Sequence, residues 1–178
     1  MKKRRVLKNI IKRRRIFNGR LIKLYSQRHR FPGGYIGDLE VVIHPGAVLI
    51  VPFLKRDKII LIRQYRPVIN SYIWELPAGT LDKNESPAAC AKRELIEETG
   101  YSADNYKRIG FIYPAPGYTT EKIFIFEARK LKKVEADKEE DEVIRPRVFY
   151  KKEIENLLKS GRIVDAKTIC ALRLARVI

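Results

Sequence analysis

The chain has 178 residues, 45% of them hydrophobic and 33% charged, with a formal net charge of +17 and two cysteines. That length supports one well-buried core and is short for two, and Cys90 and Cys170, far apart and in no metal-ligand spacing, suggest neither a disulfide framework nor a zinc site. No stretch approaches the roughly 20 apolar residues of a membrane span, and the basic start lacks the apolar run of a signal peptide, so the expectation is a cytoplasmic protein with no transmembrane segment.

The charge is concentrated at one end. Residues 1 to 30 hold 13 Lys and Arg and no acid, which leaves 25 basic against 21 acidic residues in the rest. The excess therefore belongs to a basic N-terminal arm, residues 1–15, where Val6, Ile10 and Ile11 interleave with Lys and Arg. Such a pattern reads as a short amphipathic helix or as a solvated arm, and either can contact RNA or an anionic surface.

Residues 16–40 read as an N-terminal β segment. Asn18-Gly19 is a hairpin turn signal, Leu21, Ile22, Leu24 and Tyr25 form the return strand, and Phe31-Pro-Gly-Gly34 turns the chain again. Glu40 to Leu54 and Lys58 to Tyr65 are β-rich runs joined by the polar turn Lys55-Arg56-Asp57. Pro52 lacks a ladder donor, which predicts an edge or a bulge. His44 has no His or Cys companion at metal spacing and reads as a turn or packing residue.

Arg63-Gln64-Tyr65-Arg66 and Trp74-Glu75-Leu76-Pro77-Ala78-Gly79 follow. The planar fork of a guanidinium suits a diphosphate, because it donates two hydrogen bonds to adjacent oxygens. Trp74 and Tyr65 are suited to stacking on a base, although Trp74 taken alone is better suited to core packing.

Next comes a loop and then a helix, predicted over Pro87–Thr99 with Ser86 as its cap and Gly100 as its left-handed end. At about 100° per residue, Glu94, Glu97 and Glu98 share one face within an arc of about 100°. Glu94 and Glu98 repel at i, i+4 by roughly 0.2–0.5 kcal/mol, and the helix C-terminus disfavours anions. A hard divalent cation reverses both costs.

Beyond the helix, Tyr106 to Tyr113 and Lys122 to Ala128 read as strands around the loop Pro114–Thr120. Glu135 to Glu142 is an acidic cluster without apolar period and reads as a loop before a further strand. Lys151 to Lys159 and Asp165 to Val177 close the chain as helices, the second capped by Asp165.

Gly79, five residues, Glu85, seven residues, Arg93-Glu94-Leu95, one residue, Glu97-Glu98, one residue, Gly100 and an apolar residue match every fixed position of the Nudix box. The chain thus resembles the Nudix hydrolases, which cleave nucleoside diphosphates linked to another moiety, usually with Mg²⁺ or Mn²⁺. Pro116, 16 residues after Gly100, with the neighbouring Pro-Gly-Tyr and Glu121, is similar to a feature of the ADP-ribose pyrophosphatase branch. Gly161-Arg-Ile-Val-Asp-Ala-Lys-Thr168 is similar to that branch's C-terminal phrase.

The resemblance implies an α/β/α sandwich with a mixed β-sheet over residues 41–178, preceded by an antiparallel segment that often helps build a homodimer. It implies hydrolysis of ADP-ribose to AMP and ribose 5-phosphate. The competing readings are a GDP-mannose or broad nucleoside diphosphate sugar pyrophosphatase and, from a different class, a nucleic-acid or anionic-surface binding module using the basic arm.

Carried over by position, the metal contacts are Glu94, Glu98, the Ala78 carbonyl and Glu142. The catalytic set is Glu140 as general base, Glu97 as a further ligand or part of the water network, and Arg93 and Glu85 as an orienting ion pair. A one-residue slip in the acidic run replaces Glu140 by Glu139. The substrate-binding set is Arg63, Arg66, Trp74, Glu75, Pro116 and Tyr118.

Overall fold

The computed structural model describes residues 9–135 and 144–178. Strands β1 (Ile10–Asn18), β2 (Lys23–Arg30) and β3 (Ile36–Ile43) form an antiparallel sheet in that order. The β1–β2 turn is closed by the Gly19 N–H donating to the Ile22 carbonyl at 2.9 Å. The basic run from Ile10 to Arg15 is strand rather than helix, pairing with Tyr25 to His29 of β2. Its β-branched residues and a waiting partner outweigh the helix propensity of Lys and Arg. No residue of this sheet enters a core cluster, and Ile11, Ile16 and Phe17 remain exposed.

The run from Glu40 to Leu54 is broken by His44-Pro45-Gly46, with Gly46 at φ +107°. His44 serves the turn, its Nδ1 accepting the Gly46 N–H at 3.1 Å. Strand β4 (Ala47–Lys55) then enters a second sheet with β5 (Lys58–Arg66), β6 (Ser71–Glu75), β7 (Ala78–Thr80), β8 (Tyr101–Ile112), β9 (Ile123–Lys133) and β10 (Ile144–Tyr150). The order is β10-β5-β4-β9-β8, with β6 on β5 and β7 on β4; β4 and β9 run parallel and the other pairs antiparallel.

Pro52 does not mark an edge: β4 is interior, and Pro52 is in register with Ala128 of β9. On its other flank β4 changes partner, from β7 at residues 47–49 to β5 from Phe53 onward. The Ile50 N–H points to that flank, donating to the Pro77 carbonyl at 2.8 Å, and strand alternation sends position 52 the same way. The missing donor falls where the ladder is interrupted.

Among the described residues three α-helices, α1 (Pro87–Thr99), α2 (Lys151–Lys159) and α3 (Ala166–Leu174), cover the sheet. Val48 and Ile50 of β4 pack with Cys90, Ala91 and Leu95 of α1. Leu49, Val51 and Phe53 pack with Ile154, Leu157, Ala171 and Leu172 of α2 and α3. One strand thus feeds both layers through its period of two, giving the expected α/β/α sandwich.

Candidate active site

Helix α1 begins and ends as its sequence dictates. The Ser86 hydroxyl accepts the Ala89 N–H at 3.2 Å, and Gly100, at φ +72°, donates its N–H to the Ile96 carbonyl. Its buried residues are Cys90, Ala91, Glu94, Leu95, Glu98 and Thr99. Two of the three clustered acids therefore sit on the inward face rather than in solvent.

Loop and helix interlock around those acids. The Ala78 N–H donates to Glu98 Oε2 at 2.8 Å. A Cβ at Gly79 would stand 1.7 Å from Glu94 Oε1, so only glycine lets the strand pass against that carboxylate. Arg93 gathers the rest. Its Nε and Nη2 each donate to Glu85 at 3.1 Å, and its Nη1 lies 2.8 Å from both Glu94 Oε1 and Glu97 Oε2. Those hydrogen bonds hold the Glu85 carboxyl below the usual carboxylate range and push the Arg93 guanidinium up.

These groups open onto a cavity of about 530 Å³ whose lining includes Arg66, Ala78, Arg93, Glu94, Glu97 and Glu98. The sequence reading did not anticipate that Gln64, Ile144 and, from the β1–β2 turn, Arg20 and Leu21 also line it. Gln64 is buried, and its Oε1 accepts no hydrogen bond among the described residues. Strand alternation was the available signal: Gln64 and Arg66 are two apart on β5 and share a face.

Other anticipated residues stand outside the cavity. Arg63, one residue before Gln64 on β5, is exposed with its guanidinium 5.0 Å above the Tyr72 ring. Trp74 packs edge-on against Phe149 at 4.9 Å in the α2/α3 layer. Tyr65 donates its hydroxyl proton to Asn70 Oδ1 at 2.6 Å. Pro116 and Tyr118 are exposed on a loop tied to β3, where the Val42 N–H donates to the Tyr118 carbonyl at 2.8 Å. Glu139, Glu140 and Glu142 lie outside the described residues.

Glu75 is fully buried behind Arg66. It accepts from Arg66 Nε at 2.6 Å and from Nη2 at 2.9 Å, and it contacts Lys167 Nζ. Burial alone would raise its pKa, but the bonds from Arg66 and the charge of Lys167 outweigh it, and the carboxyl sits below its ordinary value. A depressed acid stabilises the fold fully above its unfolded pKa of about 4.3 and loses that contribution as pH falls through the lower folded value. Glu75→Gln is expected to cost about 3 kcal/mol at pH 7, at the low end for a broken buried pair because Arg66 stays partly exposed. Urea titrations should show this gap shrinking as pH falls below about 4; a gap constant down to pH 2 would contradict the assignment.

Among the described residues, no three Asp, Glu, His or Cys side chains are already gathered closely enough to hold a metal ion. The donor set of Glu94, Glu98 and the Ala78 carbonyl is nonetheless all oxygen. With a glycine cradle at Gly79 and the orphaned oxygen of Gln64, it fits a hard divalent cation rather than zinc. Carboxylates on a helix, an arginine held by a buried acid, and a cavity between them define the class: a sandwich fold whose cavity sets groups able to hold a cation beside one able to bind an anion.

Comparison with known proteins narrows that class. A model described as NUDIX domain matches residues 43–172. The chain is 36% identical over 165 residues to an ADP-ribose pyrophosphatase of Bacillus subtilis (strain 168), covering 92% of this chain and 89% of that protein. Identity and coverage are the same for a methanol dehydrogenase activator of Bacillus methanolicus. A crystal structure of an ADP compounds hydrolase aligns with a TM-score of 0.82 at 29% identity, covering 94% of this chain and 91% of that one. The chain belongs to the Nudix family and is one of its hydrolases, enzymes that need divalent metal ions. No helix among the described residues is long and apolar enough to cross a membrane.

Proposed function

We propose that this enzyme hydrolyses ADP-ribose to AMP and ribose 5-phosphate using Mg²⁺ or Mn²⁺. The observation that carries the reading is the inward pair Glu94 and Glu98, kept at the anion-averse end of α1 against a glycine and facing a cavity with Arg66. The names of the Bacillus subtilis relative and of the ADP compounds hydrolase point in the same direction.

In this reading Glu94, Glu98, the Ala78 carbonyl and Glu142 hold the cation. When bound, it neutralises the diphosphate and lowers the barrier to attack by water. Arg66, oriented by Glu75, donates its fork to phosphate oxygens, and Gln64 offers its unmatched carboxamide oxygen to a hydroxyl or a water. Arg93 keeps Glu85 and Glu97 in place. Glu140 takes the proton of the attacking water, and the leaving phosphate departs as a monoester. The exposed apolar residues of the N-terminal sheet, Ile11, Ile16, Phe17 and Leu21, support its use as the surface of a homodimer.

One preparation tests the whole reading. Product analysis should show AMP and ribose 5-phosphate in equal amounts with Mg²⁺, and sedimentation should show a dimer. A kcat/KM for GDP-mannose or several other nucleotide sugars equal to that for ADP-ribose would defeat the substrate assignment. A monomer at all concentrations would defeat the oligomeric one.

A further inference from the structure

The segment Asp165-Ala-Lys-Thr168 forms the start of α3, far from the glutamate helix in sequence, and the reaction as described assigns it no part. Three of its four side chains, those of Asp165, Lys167 and Thr168, are held in hydrogen bonds. Asp165 caps α3 by accepting the Thr168 N–H at 2.9 Å and also accepts from Lys167 Nζ at 2.9 Å. The Thr168 hydroxyl, fully buried, accepts the Leu76 N–H at 2.9 Å, and Lys167 Nζ contacts Glu75 Oε2. The next residues along the chain are Pro77 and Ala78, and the Ala78 N–H meets Glu98.

The contacts on Glu75 explain why a lysine stands there. Glu75 is fully buried and binds two cations at once: Arg66, which reaches the cavity, and Lys167, whose side chain is only 20% exposed. Lys167 is itself paired with Asp165, so the four groups carry two positive and two negative charges and cancel. What Lys167 adds is a second partner on Glu75 Oε2, which fixes the carboxylate that in turn holds the Arg66 fork through two hydrogen bonds.

We infer that Lys167 is a positioning residue for substrate binding, acting through the buried Glu75 to set the geometry of Arg66 toward a diphosphate. This rests on the proposed function in so far as Arg66 meets the substrate's diphosphate. The competing account is that Lys167 merely pins α3 to β6. The two differ in what they predict once Arg66 is gone.

The test is a double-mutant cycle on the full-length enzyme with Mg²⁺ and ADP-ribose: wild type, Lys167→Met, Lys167→Arg, Arg66→Ala and the Lys167→Met/Arg66→Ala double variant, each with its melting temperature. Lys167→Met should raise KM about tenfold with kcat changed less than about threefold, a binding loss of the kind expected for uniform recognition. Lys167→Arg should recover most of the loss. In the Arg66→Ala background Lys167→Met should change KM by less than about twofold, because the residue through which it acts is absent. Equal KM effects in both backgrounds, or a lowered melting temperature with unaltered KM, would overturn the inference. Failure of wild type to turn over ADP-ribose would instead count against the substrate reading; the cycle is then run as ADP affinity by calorimetry, with the same criteria on Kd.

Discussion

Glu98→Gln is expected to lower kcat/KM by about a thousandfold, roughly 4 kcal/mol of barrier, while leaving the fold intact. The side chain keeps an oxygen that can accept the Ala78 N–H, so the loop stays anchored. What disappears is the charge. Its loss relieves the repulsion with Glu94 at i, i+4 and the unfavourable placement of an anion at a helix C-terminus, each worth a few tenths of a kcal/mol, and forfeits some attraction to Arg66. These oppose one another, so the melting temperature should move by no more than about 3 °C in a domain of this size. Activity within tenfold of wild type at saturating Mg²⁺ would remove Glu98 from the proposed ligand set. A large fall in melting temperature would make it a structural residue instead.

Gly79→Ala should divide activity from stability just as sharply. The added methyl would lie 1.7 Å from Glu94 Oε1 and 1.8 Å from Glu94 Cδ, distances that no packing adjustment absorbs. Something has to move, and the cheapest movement is the end of the flexible Glu94 side chain rather than the strand that carries Gly79. The stability cost should therefore be about 1 kcal/mol, at the bottom of the range for overpacking. The displaced carboxylate is one of the proposed metal contacts, and kcat/KM should fall at least about a hundredfold, the scale for a disturbed metal shell. Steady-state kinetics alongside thermal denaturation read both quantities. If Gly79→Ala remains fully active, Glu94 does not need the position in which it packs against Gly79. If it unfolds, the strand rather than the side chain has yielded.

Both predictions concern local features that a reader of the chain can find. Ser86, Pro87 and Gly100 set the bounds of α1 by capping chemistry that involves only near neighbours, and the face shared by Glu94, Glu97 and Glu98 follows from helical period. The spacing from Gly79 to Gly100 marked the family before any fold was known, because the loop and helix it describes are contiguous. The hairpin turn at Asn18-Gly19 was legible for the same reason.

The pairing of β4 with β5 across Lys55-Arg56-Asp57 follows from the sequence, but sheet order beyond such neighbouring strands was out of reach. Pro52 obeys its chemistry, yet its strand is interior because the ladder happens to change partner there, a fact of sheet order. Arg63 and Arg66 looked equivalent as phosphate ligands, but an odd interval on a strand sends them to opposite faces, and only the placement of α1 says which face bears the cavity. Trp74 met Phe149, and Arg20 reached the cavity from a sheet that contributes nothing to the core.

The sequence by itself determined the helix, its caps, its acidic face and the family to which the chain belongs, since each is written within a span of about 20 residues and governed by local geometry. Tertiary structure alone decided that two of those acids turn inward, that Glu75 is shared between Arg66 and Lys167, 92 positions apart from Glu75 along the chain, and that a turn of the N-terminal sheet overhangs the cavity. Those pairings arise from burying both faces of one sheet, a requirement that no stretch of sequence satisfies alone.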